Sequence, residues 1–135
     1  MAARRSPDEA ILTALIAQLD ASTTSDSYTE VPQGTAAPYV KLTLPTGRRM
    51  DTFGRFGAST LVDVDSITAG PSQQAGLRMR AAVLQALDSQ EFSLSGHTML
   101  GTAFEGSEYF AEMVQGVKHH HHVATFRVWT EQSTT

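Results

Sequence analysis

The sequence predicts an α+β domain in which an antiparallel or mixed β-sheet of four to five strands carries two helices packed on one face. Two amphipathic helical segments interrupt a series of strands whose apolar and polar residues alternate. Such alternation is typical of strands with one face in the core and the other toward water, as in antiparallel sheets. The length of 135 residues predicts a single domain over residues 1–135.

The first helix is predicted at residues 6–20. Ser6 and Glu9 have the spacing of a capping box, and Pro7 stands at the position where a helix tolerates proline. Apolar residues then recur at helical spacing, at Ile11, Leu12, Leu15, Ile16 and Leu19. Polar residues interrupt this stretch, so it indicates an amphipathic helix rather than a signal peptide.

Strands are predicted on the N-terminal side of a second helix. A polar loop follows the first helix, with a short strand at residues 28–31 as an option. A strand at residues 39–44 starts after Pro38 and ends at Pro45, and the next strand covers residues 59–65.

The second helix is predicted at residues 72–88, where apolar residues lie four apart and alanines permit close approach to a sheet. A strand interrupted by glycines is predicted at residues 92–105, and the last strand at residues 118–129. The polar residues 130–135 are expected to form a frayed tail.

The composition excludes several classes of protein. The chain has no cysteine, which excludes disulfides, thiolate catalysis and cysteine-based zinc sites. The net charge of −4 does not suggest a protein that coats nucleic acid, although a local basic patch remains compatible with it. No apolar run approaches the roughly 20 residues that span a bilayer, so no membrane association is expected.

Residues 45–58 are predicted to form a long loop or the tip of an extended hairpin. They hold the chain's basic and aromatic cluster, at Arg48, Arg49, Phe53, Arg55 and Phe56. Arginine suits carboxylates and phosphates, and aromatic rings supply anchor area, so these residues are candidates for contact with a partner protein or DNA. The alternative is a solvated hairpin tip with the phenylalanines tucked beneath it. No recognition-helix pattern accompanies the arginines, so sequence-specific DNA reading is not expected.

The run His119–His122 invites a metal-binding interpretation, because imidazole is a good ligand for zinc, copper and nickel. On a strand, however, at most two of the four share a side, and no carboxylate stands beside them at a ligand-like spacing. We therefore expect the run to form the exposed start of the last strand, with a pH- or metal-sensitive contact as a minor alternative. Asp63 and Asp65 share a strand face and could hold Mg²⁺, but alternating polar residues normally face water. No catalytic residue, metal or cofactor is predicted.

The order of these features resembles the tail terminator (tail-completion, or tail-to-head joining) proteins of long-tailed bacteriophages and gene transfer agents. The segment from Pro32-Gln33-Gly34-Thr35 to Pro38-Tyr39-Val40 follows an N-terminal amphipathic helix. The strand Leu61-Val62-Asp63-Val64 leads into an alanine-rich helix, and Phe126-Arg127-Val128-Trp129 closes the chain. The resemblance covers nearly the whole chain.

The resemblance implies a structural virion protein rather than an enzyme. Such proteins assemble as a homo-hexameric ring that ends the tail tube, stops addition of the major tail tube protein and provides the docking surface for a head-completion (stopper) protein. DNA would pass through the lumen without specific contacts, and the protein would lie at the tail–head junction of the virion after assembly in the bacterial cytoplasm.

Two alternatives remain open at this point. One is another neck or head-completion component. The other is a small metal-binding protein or enzyme that uses His119–His122 together with Asp63 or Asp65.

Overall fold

A computed structural model describes residues 3–51 and 55–133 of the chain. In chain order the elements are α1 (Asp8–Ser22), β1 (Ser27–Tyr28), β2 (Tyr39–Arg49), β3 (Gly57–Ala69), α2 (Gln74–Leu87), β4 (His97–Val114) and β5 (Val117–Gln132). The strands form one sheet in the order β1-β2-β3-β5-β4. β1 runs parallel to β2 and every other neighbouring pair is antiparallel, so the sheet is mixed and the predicted fold class is confirmed.

The core lies between the two helices and one face of the sheet, called the helix face here. It is formed by apolar side chains with almost no exposed surface, among them Ile11, Leu15, Leu19, Val62, Val64, Val83, Leu87, Phe126 and Val128. Even-numbered residues of β3 and β5 point to this face, and odd-numbered ones point to the opposite side, called the outer face. The helical spacing and the strand alternation in the sequence therefore identified this core correctly.

β2 does not end at Pro45, as the sequence predicted, but continues to Arg49. The register with β3 shifts between Thr43 and Thr46, which accommodates the proline as an irregularity in the ladder. β1 pairs only with Val40 and Lys41, so the missing N–H of Pro45 is not needed by a strand on the other side. Segment 45–58 is thus the outer part of the β2–β3 hairpin, with residues 52–54 outside the described residues.

The prediction of a frayed tail over residues 130–135 is wrong for its first half. β5 extends to Gln132, and both Thr130 and Gln132 are buried. The Gln132 side chain accepts a hydrogen bond from the backbone N–H of Arg5 at 2.7 Å and donates one to the carbonyl of Ala3 at 2.9 Å. Residues 3–7, called the N-terminal arm here, therefore supply the hydrogen-bond partners that the buried Gln132 side chain would otherwise find in water. Residues 134–135 lie outside the described residues.

The helix starts and the strand β4 also differ from the predictions. α1 has no side-chain cap, and the Ser6 hydroxyl accepts a hydrogen bond from the N–H of Asp8 instead of forming the capping box.

β4 covers His97–Val114 rather than residues 92–105. It lies at the sheet edge with its second half exposed on both faces, so no alternation of apolar residues marks it in the sequence.

α2 packs unusually close to β5 at one point. Gly76 is buried, and a Cβ atom at this position would collide with the Nδ1 and Cε1 atoms of His122. The His122 ring cannot easily retreat, because it is packed against Tyr109 at a ring-centroid distance of 4.8 Å and contacts Gln73. Glycine in a helix interior is normally unfavourable, so the close approach explains its presence here.

We expect Gly76→Ala to destabilise the fold by about 1–2 kcal/mol, because the steric cost of overpacking exceeds the gain in helix propensity. The free energy of unfolding in urea measures this change. Gly106→Ala is the matched control, since nothing lies within 4 Å of a Cβ atom there. A Gly76→Ala variant as stable as the native chain would show that α2 can shift away from β5.

Candidate functional site

The basic and aromatic residues predicted as contacts lie at one end of the sheet. Arg48 and Arg49 end β2, while Arg55 and Phe56 stand just before β3. Phe53 lies outside the described residues. The structure thus brings four of the five predicted residues to the same hairpin, as their proximity in sequence indicated.

Most of the charge at this hairpin is neutralised within the chain. Asp51 accepts hydrogen bonds from Arg4 at 2.6 Å, from Arg49 at 2.7 Å and from the N–H of Gly57 at 3.1 Å. The bond from Arg4 is the main reason that the pKa of Asp51 falls from 3.8 to about 2, and the Gly57 N–H and Arg49 add to it. Arg4 also lies over the Phe56 ring, 4.5 Å from its centroid.

Arg55 pairs with Glu131 at the end of β5, at 2.6 Å. Arg48 is exposed and has no ion pair among the described residues. It borders a cavity of about 430 Å³ beneath the N-terminal arm. Two buried threonines, Thr60 and Thr130, also line this cavity, and neither hydroxyl has a hydrogen-bond partner among the described residues. The hairpin is therefore held to the N-terminal arm and to β5. Among the predicted contact arginines, Arg48 is the one whose charge is not already paired and could bind an external anion.

The histidine run is not the exposed start of a strand, so that prediction is wrong. His120 and His122 point to the helix face and are buried. The Nε2 atom of His120 donates to the carbonyl of Gly70 at 2.7 Å, which leaves Nδ1 to accept from the Tyr109 hydroxyl at 2.8 Å. Burial is the main cause of the lowered pKa of His122, with the Arg80 charge next. The run is buried because β5 lies inside the sheet and under α2.

His121 points to the outer face and joins three strands. Its Nδ1 atom is 2.7 Å from an oxygen of Asp65 on β3, and its Nε2 atom is 2.9 Å from one of Glu112 on β4. The ring also stacks on Phe110 at 4.4 Å. The His121 ring therefore bridges carboxylates from the strands on both sides of β5. Burial raises the pKa of Asp65, and the bond with His121 opposes that rise.

The sequence suggested Asp65 as a partner of the histidine run only in the metal-protein alternative, and it gave no sign of Glu112, because only the pairing of β5 with both neighbours brings the two carboxylates beside His121. Asp63 instead accepts a hydrogen bond from the Thr125 hydroxyl at 2.7 Å. Within residues 3–51 and 55–133, no three histidine, aspartate or glutamate side chains are grouped so that they could hold a metal ion.

The most distinctive surface is the edge formed by β4 and the turn that follows it. An edge strand presents unpaired backbone N–H and C=O groups, and natural edges are usually short or charged. This one is 18 residues long. Large apolar side chains are exposed along it and at the turn, at Leu100, Phe104, Tyr109, Phe110, Met113, Val114 and Val117. The sequence patterns did not identify this edge as a contact surface.

Comparisons with known proteins give two findings. The family model described as "Tail completion protein gp17" matches residues 9–131. A solved chain titled "Virion of native gene transfer agent (GTA) particle" is similar at 23% identity with a TM-score of 0.82, covering 95% of this chain and 99% of that chain. At this identity the likeness shows the fold. No curated protein matches the sequence. Of the helices in the described part of the chain, none has the length and apolar character to cross a bilayer.

The ion pairs of Asp51 predict a specific acid sensitivity. Because its folded pKa of about 2 lies below the ordinary 3.8, the carboxylate stabilises the fold above about pH 4, and this contribution is lost as the pH falls toward 2. Asp51→Asn should therefore lower stability at pH 6 and flatten its decline between pH 4 and 2, as measured by urea unfolding at each pH.

Asp20→Asn is the matched control for this experiment, because Asp20 is exposed on α1 and has no ion pair among the described residues. An unchanged pH profile in the Asp51→Asn variant would contradict the assigned role of the carboxylate.

Proposed function

Because this chain belongs to the tail completion protein gp17 family, we propose that it forms a closed homo-hexameric ring that ends the tail tube of a phage or gene-transfer-agent virion. The family makes it a tail component of such a particle. The finer role is our proposal: the ring stops further addition of the major tail tube protein and presents a docking surface to a head-completion protein. DNA passes through the lumen without sequence-specific contacts.

The exposed apolar edge of β4 is the observation that supports self-assembly. A soluble monomer rarely leaves a long edge strand with several large apolar side chains open to water, because such an edge recruits other chains. Association that covers Phe104, Tyr109 and Met113 would bury this surface. A head-to-tail contact between copies closes into a ring when its rotation is right, and a closed ring leaves no edge for further growth.

The two ends of the sheet supply different surfaces for the two proposed partners. Arg49 lies level with Ala58 and Thr130, at the end that carries the arginine hairpin. The β4–β5 turn, where Val114 pairs with Val117, lies at the opposite end. If the ring axis follows the strands, one rim displays Arg48 and the other displays an apolar turn. We propose that the arginine rim contacts an acidic partner surface or DNA phosphates.

The two carboxylates that were candidates for catalysis are already hydrogen-bonded within the fold, which agrees with a structural role without catalysis. Asp63 is engaged by Thr125 and Asp65 by His121. We propose that no cofactor takes part, since termination of the tube requires only a closed ring of the right diameter with an unlike surface beyond it.

Native mass spectrometry and negative-stain imaging of the purified protein, with and without chelator, test this function. We expect six-fold rings of six 14.6 kDa subunits that survive chelation. A monomer that loses its fold when metal is removed would contradict the proposal and favour a metal protein.

The capping role has its own test. Added to polymerising tail tube protein, the rings should halt elongation and appear at one end of each tube. A Met113→Asp variant, which places a charge on the apolar rim and edge, should halt elongation less effectively. Tubes that continue to grow past bound rings would contradict a terminator role.

A further inference from the structure

We propose that the ring is built by edge pairing, in which β4 of one copy adds to the free edge of β2, residues 42–49, of the next copy. This interface rests on the ring of the proposed function. A second copy of this chain is thus the partner that covers the β4 edge.

Both edges are free for this pairing among the described residues. β1 is only two residues long and pairs with Val40 and Lys41 alone, so β2 has no outer neighbour from Leu42 to Arg49. β4 pairs with β5 on one side and is the last strand of the sheet on the other. Each copy therefore offers one donor edge and one acceptor edge, which are unlike one another.

The charges of the two edges are complementary. β4 carries Glu105, Glu108 and Glu112 and contains no lysine or arginine. β2 carries Lys41, Arg48 and Arg49 and contains no aspartate or glutamate. Complementary edges favour contact between β4 and β2, and they disfavour contact of like edges, because like charges directly opposite one another are destabilising.

Three of these charges, Glu108 on β4 and Lys41 and Arg48 on β2, have no ion pair within the described chain. Glu105 pairs with Arg127 and Glu112 with His121, whereas Glu108 is exposed without an ion pair. Arg48 likewise has none. On the outer face Glu108 lies level with Lys41, and Arg48 lies level with Gly101, so free charges of opposite sign lie on the two edges that we propose to meet.

The strand directions also permit the pairing. Neighbouring strands from β2 to β4 are antiparallel at each step, so β2 and β4 of one chain run in opposite directions. A rotation about an axis along the strands preserves each direction, so β4 of one copy meets β2 of the next as an antiparallel partner. The pairing would continue the sheet around the ring with the geometry it already has.

The residue pairs across the sheet show which residue of β4 would lie opposite Thr46 of the neighbouring copy in an unsheared ring. Thr46 pairs with Leu61, Leu61 with Arg127, and Arg127 with Ala103. Directly opposed residues share a face, so Thr46 and Ala103 lie at the same level on the outer face. Strand tilt in a ring shifts this register by whole pairs along the same face.

Disulfide trapping tests the interface, because the chain has no cysteine of its own. Thr46→Cys is combined in turn with cysteine at Gly101, Ala103, Gly106 or Glu108, all on the outer face of β4. In one copy β2 and β4 are three strand spacings apart, about 14 Å, which exceeds disulfide reach. Any disulfide is therefore intermolecular.

We expect at least one combination to give, on oxidation, a ladder of covalent oligomers that ends at six. The control pairs Thr46→Cys with Asp20→Cys, on an exposed site of α1, and should give no such ladder. Rings seen by native mass with no ladder above this control in any combination would overturn the interface and leave the proposed function standing. Absence of rings from the native chain would overturn both.

Charge reversal provides a second measurement on a chain without new cysteines. Glu108→Lys should raise the concentration at which rings form by about tenfold, since it converts an attraction across the edge into a repulsion. Asp20→Lys is the matched reversal away from both edges and should leave assembly unchanged. Equal behaviour of the two variants would overturn the proposed contact.

Discussion

The pairing of β5 along both of its edges is the constraint on which the rest of the structure depends. β3 pairs with it from Gly57 to Ala69, and β4 pairs with it from His97 to Val114. Because β5 occupies this inner position, β4 is placed at one edge and β2 lies near the other. The two-residue β1 cannot cover β2, so the sheet has two free edges of different length, charge and apolar content.

The same constraint assigns the histidines their separate roles. Successive residues of a strand alternate between faces, so His120 and His122 enter the region beneath α2 while His121 joins Asp65 and Glu112 on the outer face. His120 is hydrogen-bonded to Tyr109 and Gly70 and His122 to Gln73, while His121 gains two carboxylates on the outer face. The histidine run therefore stabilises the centre of the sheet. In the sequence alone, four adjacent imidazoles instead suggest a set of metal ligands.

Local patterns predicted the order of elements, both helices and most of the core, because helical spacing and strand alternation are properties of neighbouring residues. Most of the misses share one cause, which is pairing between separate segments rather than a pattern within one segment. Gln132 is buried because Ala3 and Arg5 reach it across the whole chain, and β4 is long because β5 extends beside it. Asp51, which holds the hairpin arginine Arg49 and the arm residue Arg4, carries no sequence signal of that role.

A protein that ends a polymer must associate with itself and yet not propagate. An open sheet with two unlike edges would meet the first condition if, as proposed above, the donor edge of one copy pairs with the acceptor edge of another. The same contact yields a filament if its rotation does not close, so the angle between adjacent copies decides between terminator and polymer. Sheet twist sets part of that angle, and the bulge at Pro45 and the irregularities of β4 modify it locally. In the proposed ring, these irregularities of the ladder are the elements able to adjust closure, and the exposed edges are the surfaces that closure would cover.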